Sequence, residues 1–296
     1  MTEYDHRNFV SNLDPKLKVK LTQRSDIAGM RHLAYHIGLI IFLGLCVLLG
    51  GPIWFLFLVP LGIALVFLFT LEHECTHKTP FLNQFLNETV GHLCGVILIL
   101  PFTWFRYFHL AHHKWTNIPG KDPEIAAPRP ETWWNFVCYL SGIPYWIAAM
   151  TLLFQNALGR NAQAYIPTSA HRRIRSEARI MLALYAVIIA SLWFTPLLFW
   201  LWIVPCLFGQ PFLRIYLLAE HGRCPLVANM FENTRTTFTN KMVRFLAWNM
   251  PYHTEHHVFP NVPFHQLPSL HEQTQKHLKI TADGYSKFAK DFTKSL

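Results

Sequence analysis

The chain of 296 residues is 52% hydrophobic and 15% aromatic, and only 15% of it is charged. An ordinary soluble domain carries about 25% charged residues, so the composition excludes that class and places the chain among integral membrane proteins. The net charge of +9 does not make nucleic acid a partner, because Lys and Arg fall in the connections between apolar segments rather than in one patch interleaved with aromatics.

Residues 1–30 are polar and mixed in charge, with Lys16, Lys18, Lys20 and Arg24. They lack the apolar core and small-residue cleavage site of a secretory signal. Two apolar runs follow, 33–49 and 53–70, each long enough to cross a bilayer as a helix. Gly50, Gly51 and Pro52 break the run between them, so 33–70 is expected as a first transmembrane hairpin. Directly after it come His73 and His77, in His73-Glu-Cys-Thr-His77. The next apolar stretch, 91–101, is too short to span and is expected as an interfacial or re-entrant helix. His109, His112 and His113 follow it, then Lys121-Asp-Pro-Glu124. Residues 133–154 are apolar but interrupted by Ser141, Gly142 and Pro144, and are rich in Trp and Tyr. Aromatics of that kind favour the membrane interface.

A second hairpin is expected over 178–219, with arms 178–193 and 196–219 and a turn at 191–196. Pro205, Gly209 and Pro211 are expected to kink its second arm. His221 stands just beyond that arm. The remainder, 221–296, is polar enough to form a cytosolic cap. Within it Asn249 and Pro251 read as the cap and first turn of a short helix carrying His253, His256 and His257, which Pro260 and Pro263 end. The six cysteines form no CxxC pair and read as free thiols. The two HxxHH clusters share no flanking pattern, so the chain is read as one domain over 1–296.

The fold expected is therefore an all-α integral membrane protein. Four transmembrane helices in two hairpins are joined by interfacial helices and carry a cytosolic histidine-rich cap. Neither tight turn, 50–52 or 191–196, contains Lys or Arg, whereas Arg160, Arg172, Arg173 and Arg175 lie in the connection between the hairpins and Arg179 at the start of the second. The positive-inside rule then puts both termini, and all three histidine clusters, in the cytosol. A fifth span within 133–154 would separate the clusters by a bilayer and is rejected on that ground.

Residues i and i+4 stack on one helix face, with i+3 beside them, so each cluster can aim its rings at one spot. At 17 histidines in 296 residues, chance supplies roughly 0.05 matches to HxxHH, and two are present. Eight such imidazoles imply two metal ions, since a structural zinc is satisfied by four ligands that usually include Cys. Imidazole alone does not name the metal. A two-metal site at the end of an apolar bundle suits attack on a lipophilic C–H bond, which needs O2 and a redox metal; zinc lacks redox chemistry. The carboxylates beside the clusters are Glu72, Glu74, Asp122, Glu220 and Glu255. They are candidates to orient ligand rings through the second imidazole nitrogen, Glu124 reading equally well as a solvated loop charge. His32, His36, His92, His265 and His271 fit no cluster and are assigned packing or interfacial roles.

The spacings HxxxH, HxxHH and HxxHH, with an apolar hairpin before the first and another between the second and third, resemble the membrane fatty acid desaturase superfamily. The last cluster, in Asn249-Met-Pro-Tyr-His-Thr-Glu-His-His-Val-Phe-Pro, is similar to that of bacterial members. The resemblance implies that His73, His77, His109, His112, His113, His253, His256 and His257 ligate two iron ions. It implies His221 as a ninth ligand in Leu-Ala-Glu220-His221-Gly. Some acyl-CoA desaturases carry an Asn one helical turn earlier; Leu217 stands there, and Asn249, one turn before His253, is an alternative to it beside its capping role. The activity implied is insertion of a double bond into an acyl chain of a membrane lipid, with O2 as co-substrate. No heme, rubredoxin or dinucleotide motif is present. Electrons must then come from a separate ferredoxin, rubredoxin or cytochrome b5 with its reductase. The short, unfused form favours a bacterial inner membrane. A hydroxylase or ketolase of the same superfamily, and a histidine-rich metal transporter, remain as alternatives.

Overall fold

The structure, a computed structural model, describes residues 5–160 and 162–296, so the first four residues of the polar N-terminal segment lie outside it. Helix α1 (Asp26–Leu49) opens on Ser25, whose side chain accepts from the Ala28 amide, and Asp26 in its first turn complements the helix dipole. It stops at Gly50, and Gly51, at φ +54°, reverses the chain into the 3-10 turn Gly51–Phe57. Helices α2 (Leu58–Val66) and α3 (Leu68–His77) follow in one line. The apolar run was expected to end at 70, but the helix continues to His77, so the first histidine pair sits on the last turns of the span itself. Ile41, Phe42 and Leu45 are exposed on the outer face of α1, as lipid-facing residues should be.

The stretch 91–101, read as an interfacial or re-entrant helix, holds a sharp bend. Helix α4 (Gln84–Leu98) ends at Ile99, which adopts φ +56°, and α5 (Phe102–Trp115) leaves at 98° to it. Helices α6 (Trp133–Leu140) and α7 (Ile143–Leu158) form a second bent pair, at 58°, hinged on Gly142 at φ +70°. Each pair is a broken span or a re-entrant segment.

Helix α8 (His171–Ser191) begins earlier than the expected arm at 178 and carries Arg172, Arg173, Arg175, Glu177 and Arg179 in its first half. For that reason it is not among the helices long and apolar enough to cross a membrane. Among the described residues these number three, or up to five if each bent pair is one span. The last of the three runs unbroken from Phe199 to His221. It opens with a π turn (Phe199–Ile203) and continues as α9 (Val204–His221), with Pro211 inside it. Gly209 does not break this helix. A Cβ there would lie 2.3 Å from the Gly62 carbonyl oxygen, and one on Gly62 would lie 1.9 Å from that of Pro205. The glycines instead let α2 and α9 touch backbone to backbone, the close approach that small residues permit between membrane helices.

The cap closes over the cytosol-expected end of this bundle. A two-residue parallel pair, β1 (Thr236–Thr237) with β2 (Thr281–Ala282), ties its halves together. Helices α10 (His253–Val258), α11 (Leu267–Thr274) and α12 (Tyr285–Thr293) pack around it. The Arg235 guanidinium donates to the Ala219 and Gly222 carbonyls and so fastens the end of α9 to the cap. None of the six cysteines is paired; Cys94 and Cys206 are buried, and Cys46 and Cys138 are half-buried.

Candidate metal centre

Three elements deliver the box histidines to one place: the end of α3, the second half of α5, and α10. The end of α9 adds His221. Helix spacing does the local work, since His73 and His77 on α3, His109 and His113 on α5, and His253 and His257 on α10 are each i, i+4 pairs.

The nine rings separate into two sets. His73, His77, His109, His113 and His256 each offer a ring nitrogen within 4.8 Å of all the others, as do His112, His221 and His257 in the second set. His253 joins that second set, its Nε2 lying 3.0 Å from His221 Nε2 and 3.1 Å from His257 Nε2. Within the first set Nε2–Nε2 separations are 2.8 Å for His73–His256, 2.8 Å for His77–His109 and 3.1 Å for His113–His256. A metal about 2.1 Å from each imidazole nitrogen holds neighbouring octahedral donors about 3.0 Å apart. Those spacings are what a shared ion requires. His113 and His257, one from each set, stack at 4.1 Å between centroids, so the two sets share a wall.

The outer nitrogens of His112, His221 and His257 are hydrogen-bonded, as ligand rings usually are, and those of His253 and His256 face carboxylates without a hydrogen bond. His112 Nδ1 lies 3.0 and 3.1 Å from the Asp122 oxygens, and Asp122 also accepts from the Asn117 and Glu124 amides. His253 Nδ1 lies 3.2 Å from Glu220 Oε1. His221 Nδ1 meets the Asn233 carbonyl at 3.2 Å, and His257 Nδ1 meets Thr116 Oγ1 at 3.2 Å. Glu74 is looser: its Oε1 is 3.9 Å from His256 Nδ1, while Oε2 accepts from Thr79 and the Phe264 amide. Burial first, then neighbouring imidazoles, hold His253, His256 and His257 well below the usual histidine range. They stay neutral at physiological pH, the form that binds metal. Replacing Asp122 with Asn should therefore weaken metal retention at the His112 set by about 10–100-fold, read by chelator competition on purified protein.

Two expected supports lie elsewhere. Glu255 accepts from Thr236 Oγ1 at 2.6 Å and meets His271 Nδ1 at 2.5 Å, so it ties α10 to β1 and α11 and turns no oxygen to a clustered ring. Asn249 sits at φ +57° and donates through Nδ2 to the Phe264 carbonyl. It is not the cap of α10, whose N-cap is Tyr252. Both side chains are taken up by partners fifteen or more residues away in the chain.

A cavity of about 460 Å³ reaches the clusters, with His73, His109, His112, His221 and His253 in its wall. Phe69, Trp104, Phe108 and Leu152 give it an apolar lining. Three charged lining residues were not singled out as such by sequence: Glu124, whose Oε2 is 3.3 Å from His112 Nε2, Arg129 and Arg214. The signal for Arg214 was its place at i−7 from His221, on the same helix face.

The profile of one protein family, fatty acid desaturase, matches residues 48–286. An sn-1 oleoyl-lipid 12-desaturase of the bacterium Picosynechococcus is 24% identical over 243 residues, 73% of this chain and 66% of that protein. An omega-3 fatty acid desaturase of Caenorhabditis elegans is 27% identical over 267 residues, 80% of this chain and 63% of that protein. A sphingolipid delta(4)-desaturase of Gallus gallus is 25% identical over 210 residues, 66% and 58% of the two chains. The chain thus spans just under two thirds of the length of the first two relatives.

Proposed function

The chain belongs to the fatty acid desaturase family, and from that premise we propose that it is a membrane di-iron oxidoreductase that introduces a double bond into a fatty acyl chain. One observation carries the reading: two sets of imidazole nitrogens at metal-ligand spacing open onto one apolar cavity. The nine-nitrogen donor set, with partners on the outer nitrogens of His112, His221 and His257, fits a pair of first-row metal ions. His73, His77, His109, His113 and His256 hold the first iron, and His112, His221, His253 and His257 the second. With O2 and two electrons, bound iron supplies the oxidising power to take two hydrogens from an unactivated chain.

The protein's own part is placement. Asp122, Thr116 and the Asn233 carbonyl hold the outer nitrogens of His112, His257 and His221, so the inner nitrogens of those rings are set before a metal arrives, and Glu220 stands 3.2 Å from His253 Nδ1. Phe69, Trp104, Phe108 and Leu152 exclude water and keep a bound chain against the clusters. Glu74 and Asp122 each brace a loop as well as facing a ring. Electrons come from a separate ferredoxin, rubredoxin or cytochrome b5 with its reductase, and the site faces the cytosol of a bacterial inner membrane with both termini on that side. The basic connections and the charge-free turns support that orientation.

Mass spectrometry of lipid extracts tests the function. Cells expressing the chain, in a host with a working donor, should accumulate acyl species two hydrogens lighter than those of vector controls. A gain of one oxygen instead would make the enzyme a hydroxylase. No change, with iron-loaded protein present in the membrane, would overturn the acyl-lipid reading.

A further inference from the structure

Arg214 lies on α9 two turns before His221, and with Leu217, Leu218 and His221 it forms an i, i+3, i+4, i+7 stripe along the cavity wall. Its guanidinium carbon stands 4.5 Å from the Tyr145 ring centroid and 5.9 Å from that of Tyr139. Both rings are fixed, since Tyr145 donates its hydroxyl to the Leu98 carbonyl at 2.8 Å and Tyr139 donates to the carbonyl of Arg214 itself at 3.1 Å. Among the described residues no carboxylate lies within 4.0 Å of the Arg214 guanidinium, and its buried Nε has no acceptor. The other arginine of the cavity differs: Arg129 donates to Asn117 Oδ1 at 2.9 Å. Glu220 Oε1 lies 3.2 Å from His253 Nδ1 instead.

Arginine keeps its charge at every working pH, and a cation within a membrane bundle requires acceptors. Aromatic faces attract the guanidinium from the side of its plane but leave the in-plane N–H donors unmatched. Their complement is a planar or tetrahedral oxyanion bound through two parallel hydrogen bonds. A neutral headgroup would leave this charge without a partner.

We propose that Arg214 is an anion-binding subsite that holds the oxyanion head of the substrate, a fatty acid carboxylate or a lipid phosphate, while the apolar wall takes its chain. This rests on the reading of the cavity as an acyl-chain site.

The test measures binding by tryptophan fluorescence, Trp104 being part of the wall. Iron-loaded protein in phosphatidylcholine nanodiscs, kept without reductant so that nothing turns over, is titrated with oleic acid, oleoyl lysophosphatidic acid and oleyl alcohol. At least one of the two acids should bind about ten- to a hundredfold more tightly than the alcohol, the contribution of a charge-assisted hydrogen-bonded pair. The acid that does so identifies carboxylate or phosphate as the head. Arg214→Gln should abolish that preference and leave the alcohol's affinity unchanged, and Arg214→Lys should restore part of it at equal iron content. Equal binding of all three ligands by the wild type, or equal weakening of all three by Arg214→Gln, would overturn the subsite. Binding of none of them would overturn the acyl-chain reading itself, and the subsite with it.

Discussion

Replacing His256 with alanine should, on the proposed di-iron reading, reduce desaturation to below about 1% of wild type and remove one of the two irons. A partner of a metal ligand already contributes 10–100-fold, and His256 stands among the donors themselves. Its Nε2 lies 2.8 Å from His73 Nε2 and 3.1 Å from His113 Nε2, so it belongs to the edge that joins α3, α5 and α10. The side chain is fully buried. Its loss leaves four donors in the first set and a void that no neighbour on the short helix α10 can fill. Iron per chain, read by plasma emission on purified protein, should fall from two to about one. His265→Ala is the control, because His265 belongs to neither histidine set and lines a separate pocket with Arg31 and Tyr35, and it should leave iron and activity unchanged. Full activity in the His256 variant at two irons per chain would remove this residue from the ligand set.

The legible part of this molecule was its periodic part. Helical spacing within each cluster follows from three or four residues of local sequence, and the apolar runs needed only a count against bilayer thickness. What stayed hidden depended on partners distant in sequence. Gly209 read as a kink because a glycine in a helix weakens it locally, yet its role is set by Gly62 on another helix. Glu255 read as a support because it adjoins His256, but on a helix adjacent residues face different ways, and its oxygens reach β1 and α11. The arm expected at 178–193 was apolar enough when cut at Ala178; the helix that forms starts at His171 and takes in four arginines. Arg214 was hidden by averaging, since one charge hardly alters the hydropathy of a 24-residue window. Reading that window at helical period would have set Arg214 on the face of His221.

His221→Ala should produce the second large loss, and it separates a ligand from a packed interfacial histidine. His221 belongs to no HxxHH or HxxxH pattern, yet its Nε2 lies 3.2 Å from that of His112 and 3.0 Å from that of His253. It therefore bridges the parts of the second set contributed by α5 and α10, while its Nδ1 is held by the Asn233 carbonyl. Without it the second set keeps three imidazoles, and the end of α9 loses its tie to the cap through that carbonyl. A packing role predicts a lower melting temperature with two irons retained and activity scaling with the folded fraction. A ligand role predicts loss of one iron and activity below about 1% even at temperatures where the variant is fully folded. His221→Gln, which keeps much of the volume and a polar end, sharpens the contrast: it should restore melting temperature more than it restores iron. The distances favour the ligand role, because a packed histidine needs one hydrogen-bond partner on each nitrogen, and the inner nitrogen of His221 has two imidazole nitrogens at the spacing of a shared ion.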